Sequence, residues 1–184
     1  MTVFQGERFI SEAIRSLLLQ TIEDLELWVV DDASIDKTSV ILNSFVDSRL
    51  KAIRNTQNVE NASGEYIARL DADDLAEPQR LEKQVAFFLT HHEIGILGSR
   101  CRRIDERGNP LGFQDVPLND LGIRLRGLLT PPLVHSTIMW RRSAELLAAL
   151  RDAAFGAHAA DANDIYGALH RPAYESGQPL RKPH

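Results

Sequence analysis

The chain has 184 residues and 43% hydrophobic side chains, enough for one globular domain with its own core. Its formal net charge of −5 and a pI near 5.7 offer no basic surface for phosphate contacts, so the composition argues against a nucleic-acid partner. The single cysteine, Cys101, excludes an internal disulfide and a cysteine-based zinc cluster. We therefore expect a protein of a reducing compartment, by default the cytoplasm.

The hydropathy pattern gives no sign of a membrane-spanning segment. No apolar run reaches the roughly 18 to 20 residues that a spanning helix needs. The first residues also lack the basic segment followed by an apolar one that is typical of a secretory signal. We expect a soluble protein, and peripheral association with a membrane surface stays open.

The first third of the chain alternates between helix and strand patterns. Apolar residues at helical spacing predict an amphipathic helix over 7–20. The run LELWVV predicts a buried strand over 25–30, which stops at two carboxylates, Asp31 and Asp32. A second helix should follow, with Ser34 and Asp36 at its cap, and LKAIRN predicts a short return strand.

The middle of the chain repeats this alternation. A strand over 66–70 is followed by an acidic group of three residues, and Pro78 suits the first turn of a helix that runs to about His91. IGILGS predicts another strand, and CRRIDERGNPLG predicts a hairpin that turns at 108–110. The acidic group consists of Asp71, Asp73 and Asp74.

The last patterned segments are a helix near 119–129 and a strand over 134–140. After about residue 150 the chain is rich in alanine and has little pattern. The alternation predicts an α/β domain over 1–150, a mainly parallel doubly wound sheet with flanking helices, followed by a poorly patterned tail over 151–184.

In such a sheet, ligands bind beyond the carboxyl ends of the strands, where both acidic groups belong. Like charges this close repel one another, and a hard cation such as Mg²⁺ or Mn²⁺ would offset that repulsion with carboxylate oxygens as ligands. The simpler alternative is that these aspartates cap helices or lie solvated in loops, as most do.

Several motifs resemble one enzyme family. ELWVVDDASIDKT, followed by ASGEYIARLDADDLAEPQRLEKQVAFF, resembles the family 2 glycosyltransferases of the GT-A fold, in the nucleotide-diphospho-sugar transferase superfamily. TVFQGERFISEAIRSLLLQT is similar to the first loop and helix of that family, and PPLVHSTIMWRRS to its segment with a His before a strand. The resemblance covers about residues 2–143.

This resemblance implies a GT-A enzyme that transfers a sugar from a nucleoside-diphosphate sugar, most often a UDP-sugar, to an acceptor hydroxyl with inversion. It implies Mg²⁺ or Mn²⁺ as cofactor, a sugar or a lipid-linked molecule as acceptor, and a role in polysaccharide or glycoconjugate synthesis. The residues that it assigns to the donor nucleotide are Thr2, Asp31, Asp32 and Asp71. Those that it assigns to the metal are Asp73 and Asp74, with Asp71 as a further candidate.

The chain departs from the family pattern in three places. The match begins at the end of the family's first strand, so we expect that strand to be missing. Between Asn58 and Ala62 about a dozen residues of the family pattern are absent, so the chain is internally shortened. The third departure concerns the catalytic base, which relatives supply from a Glu-Asp pair; here AADANDIYGALHR offers Asp161, with Asp164 as the alternative.

His135 is a further candidate near the metal or the acceptor, although a lone histidine is more often a structural residue. Two other functions compete with the glycosyltransferase interpretation. One is a degenerate, non-catalytic domain of the same fold with a role in binding or assembly. The other is a Mg²⁺-dependent phosphotransfer protein, which would require a lysine in the crevice that the sequence does not clearly supply.

Overall fold

The computed structural model describes residues 1–54, 63–142, 157–159 and 166–170. The helices are α1 (Ile10–Leu18), α2 (Thr38–Asn43), α3 (Arg80–Thr90) and α4 (Asp120–Gly127), with a 3₁₀ turn at His135–Thr137. The strands are β1 (Thr2–Val3), β2 (Leu27–Asp31), β3 (Leu50–Arg54), β4 (Tyr66–Ala68), β5 (Leu75–Ala76), β6 (Ile96–Gly98), β7 (Arg100–Ile104), β8 (Pro110–Phe113), β9 (Met139–Arg141), β10 (Ala157–Ala159) and β11 (Tyr166–His170).

The first sheet is parallel and has the strand order β1-β2-β3. Its middle strand, β2, buries Leu27, Val29 and Asp31 on one face. Thr2 lies opposite Val30 in the register of β1 and β2. Parallel strands need helical crossovers, and α1 and α2 supply them. The predicted α/β class is therefore confirmed.

The other two sheets mix strand directions. One has the order β10-β6-β9-β4 and the other β5-β11-β7-β8. The predicted hairpin exists as the antiparallel pair β7 and β8, but its turn spans 105–109 and Pro110 already begins β8. The Asp105 carboxylate accepts the backbone N–H groups of Arg107 and Asn109, and Gly108 adopts a φ of 83° that favours glycine.

One predicted strand is largely wrong. The segment 134–140 begins with the 3₁₀ turn, and only Met139–Arg141 forms β9. The Val134 carbonyl accepts hydrogen bonds from both the backbone N–H and the hydroxyl of Thr137. Local hydrogen bonds from a hydroxyl to the backbone compete with strand pairing. The β-branched residues of this segment favour a strand, and the sequence pattern therefore predicted one.

The core lies between the first sheet and α1. The helix buries Ile10, Ala13, Ile14 and Leu17, the inward face predicted from helical spacing. These side chains join a cluster that includes Val29 of β2 and Leu70, which directly precedes the acidic group. Full burial of an aliphatic side chain stabilises a fold by about 1.5–3 kcal/mol, so this cluster fixes the acidic segment against the sheet.

Among the described residues, no helix combines the length and the apolar character required to cross a bilayer.

A hydrogen-bond network joins the two loops that follow β1 and β2. The Ser34 hydroxyl accepts the backbone N–H of Gln5 at 2.9 Å, and the Thr38 hydroxyl accepts that of Gly6 at 2.9 Å. Asp36 accepts the N–H of Glu7 at 3.1 Å. We call the loops 4–9 and 32–37, held in this way, the paired loops.

The paired loops explain why the predicted helix cap is only partly correct. Ser34 binds the neighbouring loop instead of α2, whose N-cap residue is Lys37. Asp36 does accept the N–H of Thr38, the first residue of α2. Burial opposes ionisation of Asp36, but hydrogen bonds from Thr38 and Glu7 outweigh it and lower the pKa of the carboxyl.

Gly6 allows the first of the paired loops to pack closely against Val3. A Cβ atom at this position would lie 2.4 Å from Cγ2 of Val3, a side chain that is itself buried in the core. In the same loops, Gln5 and Ala33 both have positive φ, 51° and 59°. Positive φ in residues other than glycine costs energy, and the network of the paired loops stabilises it.

A buried charge cluster lies beneath the acidic group. Arg80 and Asp74 are fully buried, and burial lowers the pKa of Arg80 to about 10 while Asp74 opposes this shift. The guanidinium donates to the carbonyls of Arg69 and Ile138, at 2.8 and 3.3 Å. Burial together with Asp74 raises the pKa of the Cys101 thiol to about 11.

We predict that Ser34→Ala lowers the free energy of unfolding by about 1 kcal/mol, because the substitution removes the acceptor of the Gln5 N–H. Urea unfolding monitored by circular dichroism measures the change. Ser44→Ala is the matched control, since that exposed hydroxyl only donates to the Ile41 carbonyl at the end of α2. Equal losses in the two variants would contradict a stabilising role of the paired loops.

We also predict that Cys101 reacts slowly with a thiol reagent in the native protein. At about pH 8 a thiol with a pKa of about 11 is ionised in roughly one molecule in a thousand, and the side chain is buried. Labelling in urea should be faster by roughly a hundredfold or more. A native rate within a few-fold of the rate in urea would show that the β7 region is open.

Candidate donor and metal site

The first acidic group divides into a buried and an exposed carboxylate. Asp31 ends β2 with 2% of its surface exposed, and its Oδ1 accepts the Ser34 N–H at 3.0 Å. Its Oδ2 is buried and has no hydrogen-bond partner among the described residues. Asp32 is exposed at the end of the sheet. Asp31 therefore shapes the second of the paired loops, while Asp32 presents a carboxylate to solvent.

The second acidic group follows β4. The backbone N–H of Asp71 donates to the Ser136 hydroxyl at 3.0 Å, and its Oδ1 lies 3.5 Å from Nε of Arg69. The Asp71 carbonyl accepts the N–H of Asp74 at 3.2 Å, which closes a turn. Asp71 and Asp73 are half-buried, whereas Asp74 is fully buried. The turn thus directs Asp74 into the interior, toward the environment of Arg80 and Cys101.

The strand β1 connects the two acidic groups. The Val3 carbonyl accepts the N–H of Asp32 at 2.8 Å. At the other end, burial and the nearby Arg69 lower the pKa of the Met1 ammonium group, and the Asp71 carboxylate opposes this shift. Met1 and Val3 are two residues apart, roughly 7 Å along a strand. Asp32 is therefore bonded through its backbone to the carboxyl end of β1, and Asp71 lies near enough to the amino end for its charge to act on the Met1 ammonium group.

The donor set fits a hard divalent cation. Asp71 and Asp73 contribute partly exposed carboxylate oxygens, which are the ligands that Mg²⁺ and Mn²⁺ prefer. In the part of the chain that the structure describes, no group of three or more His, Cys, Asp or Glu side chains is arranged around a metal position. One or two carboxylates with water and substrate phosphates are a usual shell for Mg²⁺, so the residues present suffice.

The remaining predicted site residues have different placements. Thr2 is exposed in β1, one residue from Val3 and its contact with Asp32. His135 is exposed at the start of the 3₁₀ turn, next to the buried Ser136. Asp161 and Asp164, the two candidates for the base, lie outside the described residues.

Sequence reasoning missed the residues that orient the second acidic group. The Ser136 hydroxyl accepts the backbone N–H of Asp71, and the Arg69 guanidinium lies near the Asp71 carboxylate. Arg80 of α3 donates a hydrogen bond to the Arg69 carbonyl. Ser136 lies 65 residues from Asp71 along the chain, so no local pattern could reveal the pair. An arginine on the inward face of a predicted helix, as Arg80 is, was a usable signal, because buried arginines are rare unless paired.

The model of the family described as "Glycosyl transferase family 2" matches residues 1–146. A putative glycosyltransferase of Bacillus subtilis, EpsE, is 37% identical over 158 residues, which is 78% of this chain and 55% of EpsE. The glucosyltransferase WfgD of Escherichia coli, named for UDP-Glc and a GlcNAc-diphosphoundecaprenol acceptor, is 37% identical over 103 residues, 50% of this chain and 40% of WfgD.

Solved structures share the fold. The S. aureus protein TarS, residues 1–349 in complex with UDP-GlcNAc, superimposes with a TM-score of 0.64 at 20% identity, over 95% of this chain and 58% of that one. The mannosyltransferase PcManGT from Pyrobaculum calidifontis, in complex with GDP-Man and Mn²⁺, gives a TM-score of 0.61 at 18% identity, over 96% and 56% of the two chains. These matches confirm the GT-A fold.

This chain spans about half the length of the curated relatives it matches. The family match nevertheless covers both acidic groups and the segment with His135. The chain belongs to glycosyl transferase family 2.

Proposed function

We propose that this chain forms the donor-binding part of an inverting, metal-dependent glycosyltransferase that uses a nucleoside-diphosphate sugar, and that its donor is a UDP-sugar. The observation behind the proposal is the position of β1, whose carboxyl end accepts the Asp32 N–H at Val3 and whose amino end at Met1 is within reach of the Asp71 charge. The fold shared with TarS, solved with UDP-GlcNAc, and with PcManGT, solved with GDP-Man and Mn²⁺, supports it.

The exposure of each carboxylate suggests its role. Asp32, exposed after the end of β2, accepts an N–H of the nucleotide base. Asp71 contacts the ribose, and Asp73 holds Mg²⁺ or Mn²⁺ together with the diphosphate. Asp31 contributes indirectly, by shaping the second of the paired loops, because its Oδ1 already accepts the Ser34 N–H. A carboxylate that accepts an N–H from a neutral base forms a charge-assisted hydrogen bond, one of the stronger kinds.

Asp74 fits a supporting role better than the metal-ligand role expected from the sequence. Its carboxylate is fully buried and lies close enough to Arg80 and Cys101 to affect both pKa values. A buried arginine needs a compensating charge, and Asp74 provides one. We therefore assign Asp71 and Asp73 to the donor and the cation, and Asp74 to the stability of the turn that presents them.

The proposed reaction is a direct displacement at the anomeric carbon. The acceptor hydroxyl oxygen forms the new glycosidic bond while the bond from that carbon to the diphosphate oxygen breaks, and the configuration inverts. A carboxylate base takes the hydroxyl proton, a role for which Asp161 is our candidate. Asp73 would hold a divalent cation, which when bound would neutralise charge on the departing diphosphate.

The biological setting is also part of the proposal. A sugar or a lipid-linked acceptor, a role in polysaccharide or glycoconjugate synthesis, and a cytoplasmic location with peripheral membrane contact suit a relative of EpsE and WfgD. His135, exposed beside the Ser136–Asp71 contact, is the candidate to contact the acceptor or the metal.

The experiment is a thermal-shift titration of the full chain with UDP and Mn²⁺, because a ligand that binds only the folded state raises Tm. We expect Asp73→Asn to weaken Mn²⁺-dependent UDP binding by roughly tenfold or more, since one carboxylate of the cation shell is lost. UDP binding without Mn²⁺ should change little in this variant.

Glu93→Gln is the matched control, an exposed carboxylate in the segment between α3 and β6. It removes the same formal charge and should leave the titration unchanged. If the unsubstituted chain shows no stabilisation by UDP with Mn²⁺, the non-catalytic domain becomes the better account. If Asp73→Asn and Glu93→Gln behave alike, the metal role of Asp73 is wrong.

A further inference from the structure

The outer face of α4 is apolar and exposed. Leu121, Leu125, Leu128 and Leu129 are between 58% and 86% exposed. At positions i, i+4, i+7 and i+8 they form one stripe along a helix. The N–H of Leu128 donates to the Leu125 carbonyl and that of Leu129 to the Arg126 carbonyl, so the helical turn continues past the end of α4. We call these four side chains the leucine face.

The packing of α4 against the sheet does not use the leucine face. Ile123 is two residues from both Leu121 and Leu125, roughly 200° around a helix from each, and it is fully buried. It packs with Ile96 of β6 and with Leu133. The inner side of α4 therefore holds the helix on β6, and the leucine face is presented to the surroundings of the domain.

Arginines border the leucine face on both sides. At 3.6 residues per turn, Arg124 and Arg126 lie roughly 40° to 60° outside the stripe, one on each side. Nε of Arg124 donates to the Asp120 carboxylate at 2.7 Å, and Nη1 of Arg126 donates to the Asp115 carbonyl at 2.8 Å. An apolar stripe with cations along both margins is typical of a helix that lies at the boundary between acyl chains and headgroups.

The segment around α4 is basic although the chain is acidic. Residues 100–130 contain six arginines and four carboxylates, a formal charge of +2, whereas the whole chain carries −5. Four of these arginines belong to β7 and its turn, and the bond from Arg126 to Asp115 brings the segment after β8 to α4. Anionic lipid headgroups attract arginines close to their surface, so the charge of this segment complements such a membrane.

The area of the leucine face favours a lipid surface over a second copy of the chain. Four leucines at these exposures present roughly 500 Å² of apolar surface, less than the roughly 800 Å² that each partner of a stable protein interface buries. An interfacial helix has no such minimum, because its binding grows with the apolar area inserted and with the attraction to anionic lipids.

We propose that the leucine face is a membrane-docking surface. Its four leucines insert among the acyl chains of an anionic bilayer, while Arg124 and Arg126 contact the headgroup phosphates. α4 then lies in the plane of the interface. The choice of a membrane rests on the proposed function in one respect, since the lipid-linked acceptor proposed above would lie in that membrane.

The leucine face is joined to the candidate site by a short stretch of chain. Leu129 is seven residues from Ser136, whose hydroxyl accepts the Asp71 N–H, so the two are at most about 25 Å apart. Pro131 and Pro132 restrict the backbone between them. Docking through α4 therefore brings the second acidic group close to the membrane, within reach of an acceptor carried by a lipid.

The test is flotation of the full chain with two kinds of vesicle, phosphatidylcholine alone and phosphatidylcholine with roughly 30% phosphatidylglycerol. We expect binding to the anionic vesicles to be stronger by roughly fivefold or more. Leu125→Gln with Leu128→Gln should weaken that binding by roughly tenfold or more, because two inserted side chains are lost. Arg124→Gln with Arg126→Gln should remove the preference for anionic vesicles.

Leu19→Gln with Leu89→Gln is the matched control, since these two leucines are also exposed, at the end of α1 and in α3. This pair should float like the unsubstituted chain. The vesicles contain neither nucleotide nor acceptor, so the result is independent of the UDP titration. No binding of the unsubstituted chain to either vesicle, or equal losses in the two leucine pairs, would overturn membrane docking through α4.

Two further measurements locate the contact. A polarity-sensitive dye on the thiol of Leu128→Cys should shift its emission to shorter wavelength on anionic vesicles, whereas the same dye on Leu89→Cys should not; Cys101 is buried and should stay unlabelled. Equal emission from the two dyes would contradict insertion of the leucine face. In sedimentation velocity without vesicles, a dimer that Leu125→Gln with Leu128→Gln dissociates would assign this face to a second copy and overturn the proposal.

Discussion

The short ladder between β1 and β2 is the contact on which the candidate site depends. Two backbone hydrogen bonds, from Val30 to the Met1 carbonyl and from Asp32 to the Val3 carbonyl, hold three residues of chain in an extended form. The exposed carboxylate of Asp32 therefore lies at one end of β1, and the charge of Asp71 acts on its other end. The ladder and the core cluster that contains Val29 and Leu70 together relate two acidic groups that lie some forty residues apart in sequence.

The three carboxylates of the second acidic group lie in three different environments. Asp71 has Arg69 at 3.5 Å and a backbone anchor in Ser136. Asp74 is buried in the neighbourhood of Arg80, whose positive charge partly compensates it. Asp73 is half-buried in the turn between them. Protein groups thus relieve part of the repulsion among the three carboxylates, and a bound cation would offset more of it.

The sequence predicted well what depends on local periodicity. The buried face of α1, the parallel strands β2 and β3 and the hairpin of β7 and β8 all follow from spacing within about a dozen residues. The motif DDASIDKT located the loop that follows β2, but it did not distinguish the exposed carboxylate of Asp32 from the side chains that hold the paired loops.

What the sequence could not predict depends on contacts between distant segments. Ser136 meets Asp71 across 65 residues, and the hydroxyls of the 134–137 segment favour a 3₁₀ turn where β-branched residues indicated a strand. The burial of Arg80 and Asp74 is also a tertiary effect, since the same acidic spacing in an exposed loop would leave all three aspartates solvated. Family resemblance supplied roles for these residues, and only the packing of the chain separates Asp74 from the other two.

The most direct measurement is the anomalous scattering of manganese in crystals of this chain grown with UDP and Mn²⁺. The account predicts one manganese peak at the carboxylates of Asp71 and Asp73, in contact with the diphosphate, and a uracil ring beside Asp32. A peak elsewhere, or a nucleotide whose base lies away from Asp32, would contradict the convergence of the two acidic groups at β1.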